Sequence, residues 1–202
     1  ILDDLPCMDN DNYRRNKLSF HRKYGVKKSY LVANYLFSTF SKFVLELQNE
    51  KIINYVFDNL MYIVKGQYFD LGFEKNKINN NNDKDLIIFN NNLKTYPFFV
   101  LSFTIPFLLV DKFDILKDLE NCAYFFSNAF QIYDDFLDYE QDLINKTFNH
   151  LVLLGRKDTY KLYKENLEKF NILCKKYKIN YSLFDEIINY LNENLIDYVY
   201  GL

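Results

Sequence analysis

Two clusters of aspartate residues carry the clearest chemical signal in this sequence. The first cluster places Asp3, Asp4, Asp9 and Asp11 close together near the start of the chain. Carboxylates crowded in this way repel one another, so the cluster costs free energy unless a cation neutralises it. Because hard oxygen ligands suit Mg²⁺, the sequence predicts a magnesium site here. Pro6 is expected to end or kink the helix that carries Asp3 and Asp4, which would present Asp9 from another angle.

The second cluster consists of Asp134, Asp135 and Asp138 and lies inside a strongly apolar stretch. Residues four positions apart share one face of a helix, so Asp134 and Asp138 should lie one turn apart, with Asp135 beside them. An isolated aspartate pair on a helix is usually solvated surface. Two clusters of the same form in one chain indicate a different role. Mg²⁺ held between two acidic helices would bind a diphosphate and stabilise the charge that develops as it leaves.

The elements that carry these clusters are predicted to be helices, and the predicted fold class is all-α. The 202 residues include 20 Phe and 18 Tyr but only 5 Gly and 3 Pro, so core-forming groups are abundant and turn residues are scarce. This length suits a single domain. Apolar residues recur at helical spacing in at least six segments, about Lys27–Gln48, Lys51–Leu71, Leu93–Val110, Ile115–Gln141, Thr159–Lys178 and Ser182–Val199.

Local composition and net charge indicate a loop and a buried helix and bear on the partners of the protein. Residues 75–92 are rich in asparagine and too polar to bury much surface, so an inserted loop is predicted there. The apolar stretch Tyr96–Val110 contains two prolines and is shorter than the roughly 20 residues of a bilayer span, which favours a buried helix. The net charge of −2 gives no reason to expect nucleic acid or an anionic membrane as partner.

The three cysteines, Cys7, Cys122 and Cys174, are widely spaced and match neither a zinc site nor a disulfide framework. They favour an intracellular reducing compartment. The compartment itself stays open, with a plastid-like organelle or a mitochondrion among the candidates.

Short motifs along nearly the whole chain resemble those of the trans-isoprenyl diphosphate synthases, the family of polyprenyl and geranylgeranyl diphosphate synthases, in their bacterial and plastid-type form. DDLPCMDND, followed by Arg14, Arg15, Lys17 and His21, is similar to the family's DDLPxMDxDxxRRGKPxxH. Further matches follow in family order: GQYFDL from Gly66, Lys94-Thr95, FQIYDDFLD from Phe130, Lys146-Thr147 and Leu153-Leu154-Gly155.

This resemblance implies an isoprenoid-synthase helical bundle with a central cavity, formed by residues 1–202 as one prenyltransferase domain. It also implies a Mg²⁺-dependent transferase of isoprenoid biosynthesis that acts as a homodimer. In the implied reaction the allylic C–O bond ionises, the double bond of isopentenyl diphosphate attacks, and a proton is lost. The expected product is geranylgeranyl diphosphate or a longer trans-polyprenyl diphosphate.

The same resemblance assigns a role to individual residues. The aspartates would hold Mg²⁺, with Asp3, Asp4 and Asp9 on the diphosphate of the allylic substrate, and with Asp134, supported by Asp135 and Asp138, acting from the opposite wall. The other site residues would contact the substrates. Arg14 and Lys94 would bind the allylic diphosphate, and Arg15 would bind isopentenyl diphosphate. Thr95 and Gln131 would steady the reacting allylic carbons, and Lys146 would contact the diphosphate as a late cation. The catalytic set would be Asp3, Asp4, Lys94, Thr95, Gln131, Asp134 and Lys146.

The sequence also departs from the family pattern. The stretch Arg14-Arg15-Asn16-Lys17 lacks the family's glycine but keeps its charges, and the segment between Asp138 and Lys146 is short and lacks a lysine. The family has further helices before the first cluster, with a GKxxRP segment that binds isopentenyl diphosphate, and nothing here corresponds to them. We therefore expect the sequence to be an N-terminally incomplete piece of a longer protein.

Two other functions are compatible with an all-α chain of this kind. A class I terpene cyclase would carry a second metal site of the NSE type, which this sequence does not contain. A non-catalytic subunit of a heteromeric prenyltransferase would keep the fold, but such subunits commonly lose aspartates, and all six are present here. Assay of the full-length protein alone separates the enzyme from such a subunit.

Overall fold

The computed structural model describes residues 1–73, 93–145, 149–179, 186–193 and 195. The predicted loop at 75–92 lies outside the described residues. The last predicted helix is described at 186–193 and 195, where the backbone is helical. The chain divides into two compact units, Ile1–Val56 and Phe57–Leu202, which are taken separately below. The prediction of a single domain stays a prediction.

The first unit contains a small hairpin that apolar periodicity does not predict. Strand β1 (Tyr13–Arg14) pairs antiparallel with β2 (Lys17–Leu18). The two residues between the strands, Arg15 and Asn16, both have positive φ, of 51° and 60°. Positive φ at both central residues is typical of the tight turns that join hairpin strands, and asparagine tolerates it well. Strands of two residues are too short to produce an alternating pattern in the sequence.

Helices make up the rest of this unit. The short helix α1 (Phe20–Tyr24) is followed, after Gly25 with φ of 88°, by the long helix α2 (Val26–Glu46). Helix α3 (Glu50–Phe73) begins in the first unit and continues into the second. Both long helices confirm the segments that apolar periodicity predicted.

After α3, the described part of the second unit continues with further helices and one 3₁₀ turn. These are α4 (Tyr96–Leu108), a 3₁₀ turn (Phe113–Ile115), α5 (Leu116–Leu137), α6 (Tyr139–Asn145), α7 (His150–Leu154) and α8 (Arg156–Tyr177). Helix α5 packs against α4 and against α8. The buried helix expected at Tyr96–Val110 is therefore confirmed as α4, with Val100, Phe103 and Leu108 in its core. Within the described ranges, no helix has both the length and the apolar character needed to cross a bilayer.

The prediction of one continuous helix from Ile115 to Gln141 is wrong. The helix stops at Asp138, whose φ and ψ of −95° and 6° lie outside the helical region, and α6 starts at the next residue. Aspartate is a poor residue in helix interiors and a preferred one just before a helix begins, which accounts for the break. The periodicity of apolar residues continues across this break and therefore concealed it.

Aromatic rings join helices α4, α5 and α8 of the second unit. Phe103 on α4, Phe126 on α5 and Phe170 on α8 contact one another, with ring centroids 5.1–5.9 Å apart. Phe170 is fully buried. Contacts at these distances, in tilted and edge-on geometry, add to the stabilisation that comes from burial.

Replacing Phe170 should therefore destabilise the protein far more than replacing an exposed ring. Phe170→Ala is expected to cost about 3–5 kcal/mol, because it leaves a cavity between α4, α5 and α8. That loss corresponds to about 6–20 °C in melting temperature for a protein of this size. The matched control is Phe98→Ala on α4, where the ring is 55% exposed. Equal losses for the two variants, measured by calorimetry, would refute this packing.

Candidate functional site

The first aspartate cluster lies in a series of turns, so the expectation that a helix carries Asp3 and Asp4 is wrong. A proline disfavours the helical conformation in the residue before it and supplies no N–H donor of its own, which opposes a helix across Pro6. The chain instead folds back so that the N–H of Asp9 donates to the carbonyl of Asp3, at 2.9 Å. This bond brings the backbone of Asp9 beside that of Asp3, as a shared cation site requires.

Asp4 is the buried member of the first cluster. It is 3% exposed, and its Oδ1 accepts no hydrogen bond from any residue that the structure describes. The Nε of Arg14, on β1, lies 3.9 Å from this oxygen, which is an ion-pair distance but too long for a hydrogen bond. A buried carboxylate oxygen without a hydrogen-bond donor is costly. Asp3, Asp9 and Arg15, which are close to Asp4 in the sequence, are exposed to solvent.

The second cluster occupies the last turn of α5. Asp134 is half-buried, Asp135 is buried, and Asp138 is exposed at the residue that ends the helix. The N–H of Asp138 donates to the carbonyl of Asp134 at 2.9 Å, so these residues remain one turn apart, as predicted. The C-terminal end of a helix carries partial negative charge, which makes three carboxylates there unfavourable without a cation.

The electrostatic cost is visible at Asp138. Partial burial raises the pKa of this carboxyl group above its ordinary value, and the negative charges of Asp142 and Asp135 raise it further. The charged form is therefore disfavoured in the folded protein. A bound cation would act in the opposite direction and favour the charged form.

Asp135 differs from its neighbours because protein donors already contact both of its carboxylate oxygens. Oδ1 accepts a hydrogen bond from Nε2 of Gln131 at 3.2 Å. Oδ2 accepts one from the backbone N–H of His150 at 2.8 Å, and Nδ1 of the same histidine lies 2.5 Å from it. Asn149 adds a hydrogen bond to the carbonyl of Asp135 at 2.6 Å.

Sequence reasoning missed Asn149 and His150. The only local signal was the position of Asn149, directly before a short apolar run, where asparagine is a favoured helix cap. Its Oδ1 does accept a hydrogen bond from the N–H of Leu151, at 2.9 Å, and so caps α7. The contact with Asp135 joins residues 15 positions apart, which no periodicity can indicate.

Two of the predicted motifs meet in the second unit. Gly66 on α3 packs against the backbone of Leu93 and Lys94, and a Cβ at Gly66 would lie 2.6 Å from Cα of Lys94. Such a distance is a severe overlap, so the glycine permits this close approach. Lys94 and Thr95 are half-buried, and Thr95 precedes the first turn of α4. The predicted residues Lys146 and Thr147 lie outside the described residues.

The carboxylates suit Mg²⁺ by their chemistry. Among the residues that the structure describes, no three His, Cys, Asp or Glu side chains are grouped closely enough to form a metal site by themselves. Mg²⁺ commonly uses one or two carboxylates, with phosphate oxygens and water completing its octahedral shell. The buried oxygen of Asp4 and the crowded charges around Asp138 fit that mode of binding.

Comparisons with known proteins identify the family of this chain. Residues 1–150 match the family model described as Polyprenyl synthetase. The chain is 32% identical over 206 residues to a farnesyl diphosphate synthase of Buchnera aphidicola subsp. Acyrthosiphon pisum, covering 89% of this chain and 70% of that protein. It is 27% identical to a trans-prenyltransferase of African swine fever virus (isolate Pig/Kenya/KEN-50/1950), covering 93% of this chain and 57% of the viral one.

A solved structure has the same fold. The crystal structure of a geranyltranstransferase from Thermotoga maritima superposes with a TM-score of 0.84 at 25% sequence identity. The superposition covers 95% of this chain and 71% of the other. These values confirm the predicted isoprenoid-synthase helical fold.

The raised pKa of Asp138 leads to a test in the absence of metal. Asp138→Asn removes the repelling charge but keeps a side chain that can begin α6. Relief of like-charge repulsion of this kind is worth about 0.2–0.5 kcal/mol. In EDTA at neutral pH the variant should therefore melt about 0.5–2 °C above the parent.

This difference should depend on pH in one direction. A carboxyl group with a raised folded-state pKa destabilises the fold as the pH rises through that pKa, so the advantage of Asp138→Asn should disappear on acidification. Asp58→Asn, at an exposed site on α3, is the control and should show no such trend. A variant less stable than the parent at neutral pH would contradict the proposed repulsion.

Proposed function

Because the chain belongs to the polyprenyl synthetase family and is a trans-prenyltransferase, we propose that it uses Mg²⁺ to join isopentenyl diphosphate to an allylic diphosphate. The observation that carries this proposal is the crowding of carboxylates at two places in one predominantly helical chain. One cluster includes Asp4, with a buried oxygen that accepts no hydrogen bond from the described residues. The other lies at the end of α5, where the pKa of Asp138 is raised.

Each of the two aspartate clusters would hold Mg²⁺ with its own ligands. In this proposal Asp3, Asp4 and Asp9 form one set of ligands, and Asp134 with Asp138 forms the other. Mg²⁺ at such sites neutralises a diphosphate and so favours its departure as a leaving group. Asp135, which the sequence motif places with the ligands, already accepts hydrogen bonds from Gln131 and His150.

Basic residues would bind the diphosphate groups directly. Arg14 and Arg15 offer guanidinium groups that can each donate two parallel hydrogen bonds to phosphate oxygens. Lys94 and Lys146 would add positive charge where the leaving group accumulates negative charge. Thr95 and Gln131 would orient the allylic carbons, and the amide of Gln131 is itself fixed by its bond to Asp135.

With both substrates bound, these residues would assist one exchange of bonds. The allylic C–O bond breaks and the diphosphate takes its electron pair. The double bond of isopentenyl diphosphate then supplies the electrons of the new C–C bond, and a proton passes from the adjacent carbon to the released diphosphate, which restores a double bond. We propose geranylgeranyl diphosphate or a longer chain as the product, although one similar relative is named a farnesyl diphosphate synthase.

Mass spectrometry of the product tests this function directly. The full chain, given isopentenyl diphosphate, an allylic diphosphate and Mg²⁺, should form trans-prenyl diphosphates of geranylgeranyl length or more. Asp134→Ala should lower turnover at least about 100-fold, the scale of losing one group that stabilises developing charge, and Asp3→Ala should have a similar effect.

The control is Asp58→Asn, which should retain the parent's rate because that aspartate is exposed on α3. Full activity in EDTA would contradict the proposed use of Mg²⁺. Accumulation of farnesyl diphosphate as the final product would contradict the proposed chain length and leave the reaction type intact.

We also propose that the protein is a homodimer. Helix α2 buries only Ser29 and Val44, while large apolar side chains along it remain more than half exposed, among them Tyr30, Leu31, Tyr35, Leu36 and Phe43. Apolar surface of this extent usually marks an interface. Light scattering at micromolar concentration should give the mass of two chains. A monomer mass under these conditions would refute the dimer.

A further inference from the structure

The contact between Asp135 and His150 joins the end of α5 to the start of α7. Asp135 is 4% exposed, and its Oδ2 faces two nitrogen atoms of His150, the backbone N at 2.8 Å and the ring Nδ1 at 2.5 Å. An ionised carboxylate only accepts hydrogen bonds, so the ring Nδ1 donates to it in the tautomer that carries the hydrogen on this nitrogen. Hydrogen bonds to a buried charge are strong, and the carboxylate is costly to bury without them.

Asn149 extends the same connection to a third helix. It is 1% exposed, and its Nδ2 donates to the carbonyl of Asp135 at 2.6 Å and to Oδ2 of Asp142, on α6, at 2.9 Å. Its Oδ1 accepts from the N–H of Leu151 in α7. One buried amide therefore binds the end of α5, the middle of α6 and the start of α7.

This network is also attached to the core of the second unit. The hydroxyl of Thr159, a fully buried residue of α8, donates to the carbonyl of His150 at 3.1 Å. Helix α8 packs along α5, so the packing of these two helices holds both Asp135 and Thr159, the two residues to which His150 is bound. A side chain fixed by packing and by further hydrogen bonds can hold a neighbouring group in a defined position.

We propose that Asn149 and His150 are positioning residues for the second aspartate cluster. They hold Asp135, and through its backbone they fix the adjacent Asp134 and the turn that ends at Asp138. In this arrangement Asp135 orients the cluster, and Asp134 and Asp138 bind the cation. The inference rests on the proposed function, because a Mg²⁺-diphosphate complex is the ligand for which the cluster is positioned.

Variants of His150 separate positioning from mere stability. His150→Ala removes the ring donor. His150→Asn keeps an N–H near the position of Nδ1 and should therefore restore the activity lost in His150→Ala. We expect His150→Ala to lower kcat at least tenfold and to raise the Mg²⁺ concentration for half-maximal rate severalfold, when assayed well below its melting temperature. His150→Asn should stay within about threefold of the parent, and Val152→Ala, at an exposed position of α7, should match the parent.

A double-mutant cycle identifies the residue through which His150 acts. If the histidine acts through Asp135, His150→Ala should add less than a twofold effect to kcat in an Asp135→Asn background. Full multiplication of the two single effects would overturn the proposal. If His150→Ala does not fold, Asn149→Ser keeps a helix-capping oxygen and loses both Nδ2 hydrogen bonds. It should show the same loss, and parent-like kinetics for Asn149→Ser would then overturn the proposal.

A binding measurement distinguishes failure of this inference from failure of the proposed function. The readout is the Mg²⁺ concentration at which inorganic diphosphate raises the melting temperature of the full chain. A severalfold higher Mg²⁺ concentration for His150→Ala, restored to the parent's value in His150→Asn, supports the positioning role. If the parent makes no prenyl product, that result refutes the proposed function but leaves the positioning role intact. An unchanged concentration for a folded His150→Ala, together with unchanged kinetics, overturns the inference alone.

Discussion

Repulsion between carboxylates held close together by the backbone is the constraint on which the rest of this structure depends. In the second cluster the last turn of α5 fixes the spacing of the aspartates, at the helix end that carries partial negative charge. Partial burial raises the pKa of Asp138, and the nearby charges of Asp142 and Asp135 raise it further. A sequence selected for stability alone would not place three carboxylates there. Apolar packing of α5 against α4 and α8, including the rings of Phe103, Phe126 and Phe170, offsets this cost and keeps the helix in place.

The three carboxylates of this cluster have different surroundings and therefore different chemistry. Asp135 is buried and contacted by nitrogen donors of Gln131 and His150. Asp138 is exposed and lies at a helix break, where a cation from solvent can reach it. The first cluster shows a comparable division, since Asp4 is buried whereas Asp3 and Asp9 are exposed. In both clusters a buried carboxylate lies next to exposed ones, which suits a site that must be rigid and still accept a ligand from solvent.

Much of this organisation could be predicted from the sequence. Helices α2, α3 and α8 follow from apolar periodicity and α4 from its continuous apolar run, and the spacing of the aspartates in their motifs is sufficient to identify both clusters. Periodicity could not show the break at Asp138, because apolar residues continue at helical spacing on both sides of it. It could not show the hairpin at Arg15 and Asn16, where backbone conformation is decisive, nor the bond between Asp135 and His150, which depends on tertiary packing.

In the proposed function, crowded carboxylates make this chain a site for a diphosphate that binds together with Mg²⁺. Isothermal titration calorimetry with inorganic diphosphate, in matched buffers containing either Mg²⁺ or EDTA, tests it most directly. We expect clear binding in Mg²⁺ and a loss of at least about 100-fold in affinity in EDTA, because aspartates repel an unaccompanied anion. Equal affinity in the two buffers would contradict the account, since basic residues alone would then suffice.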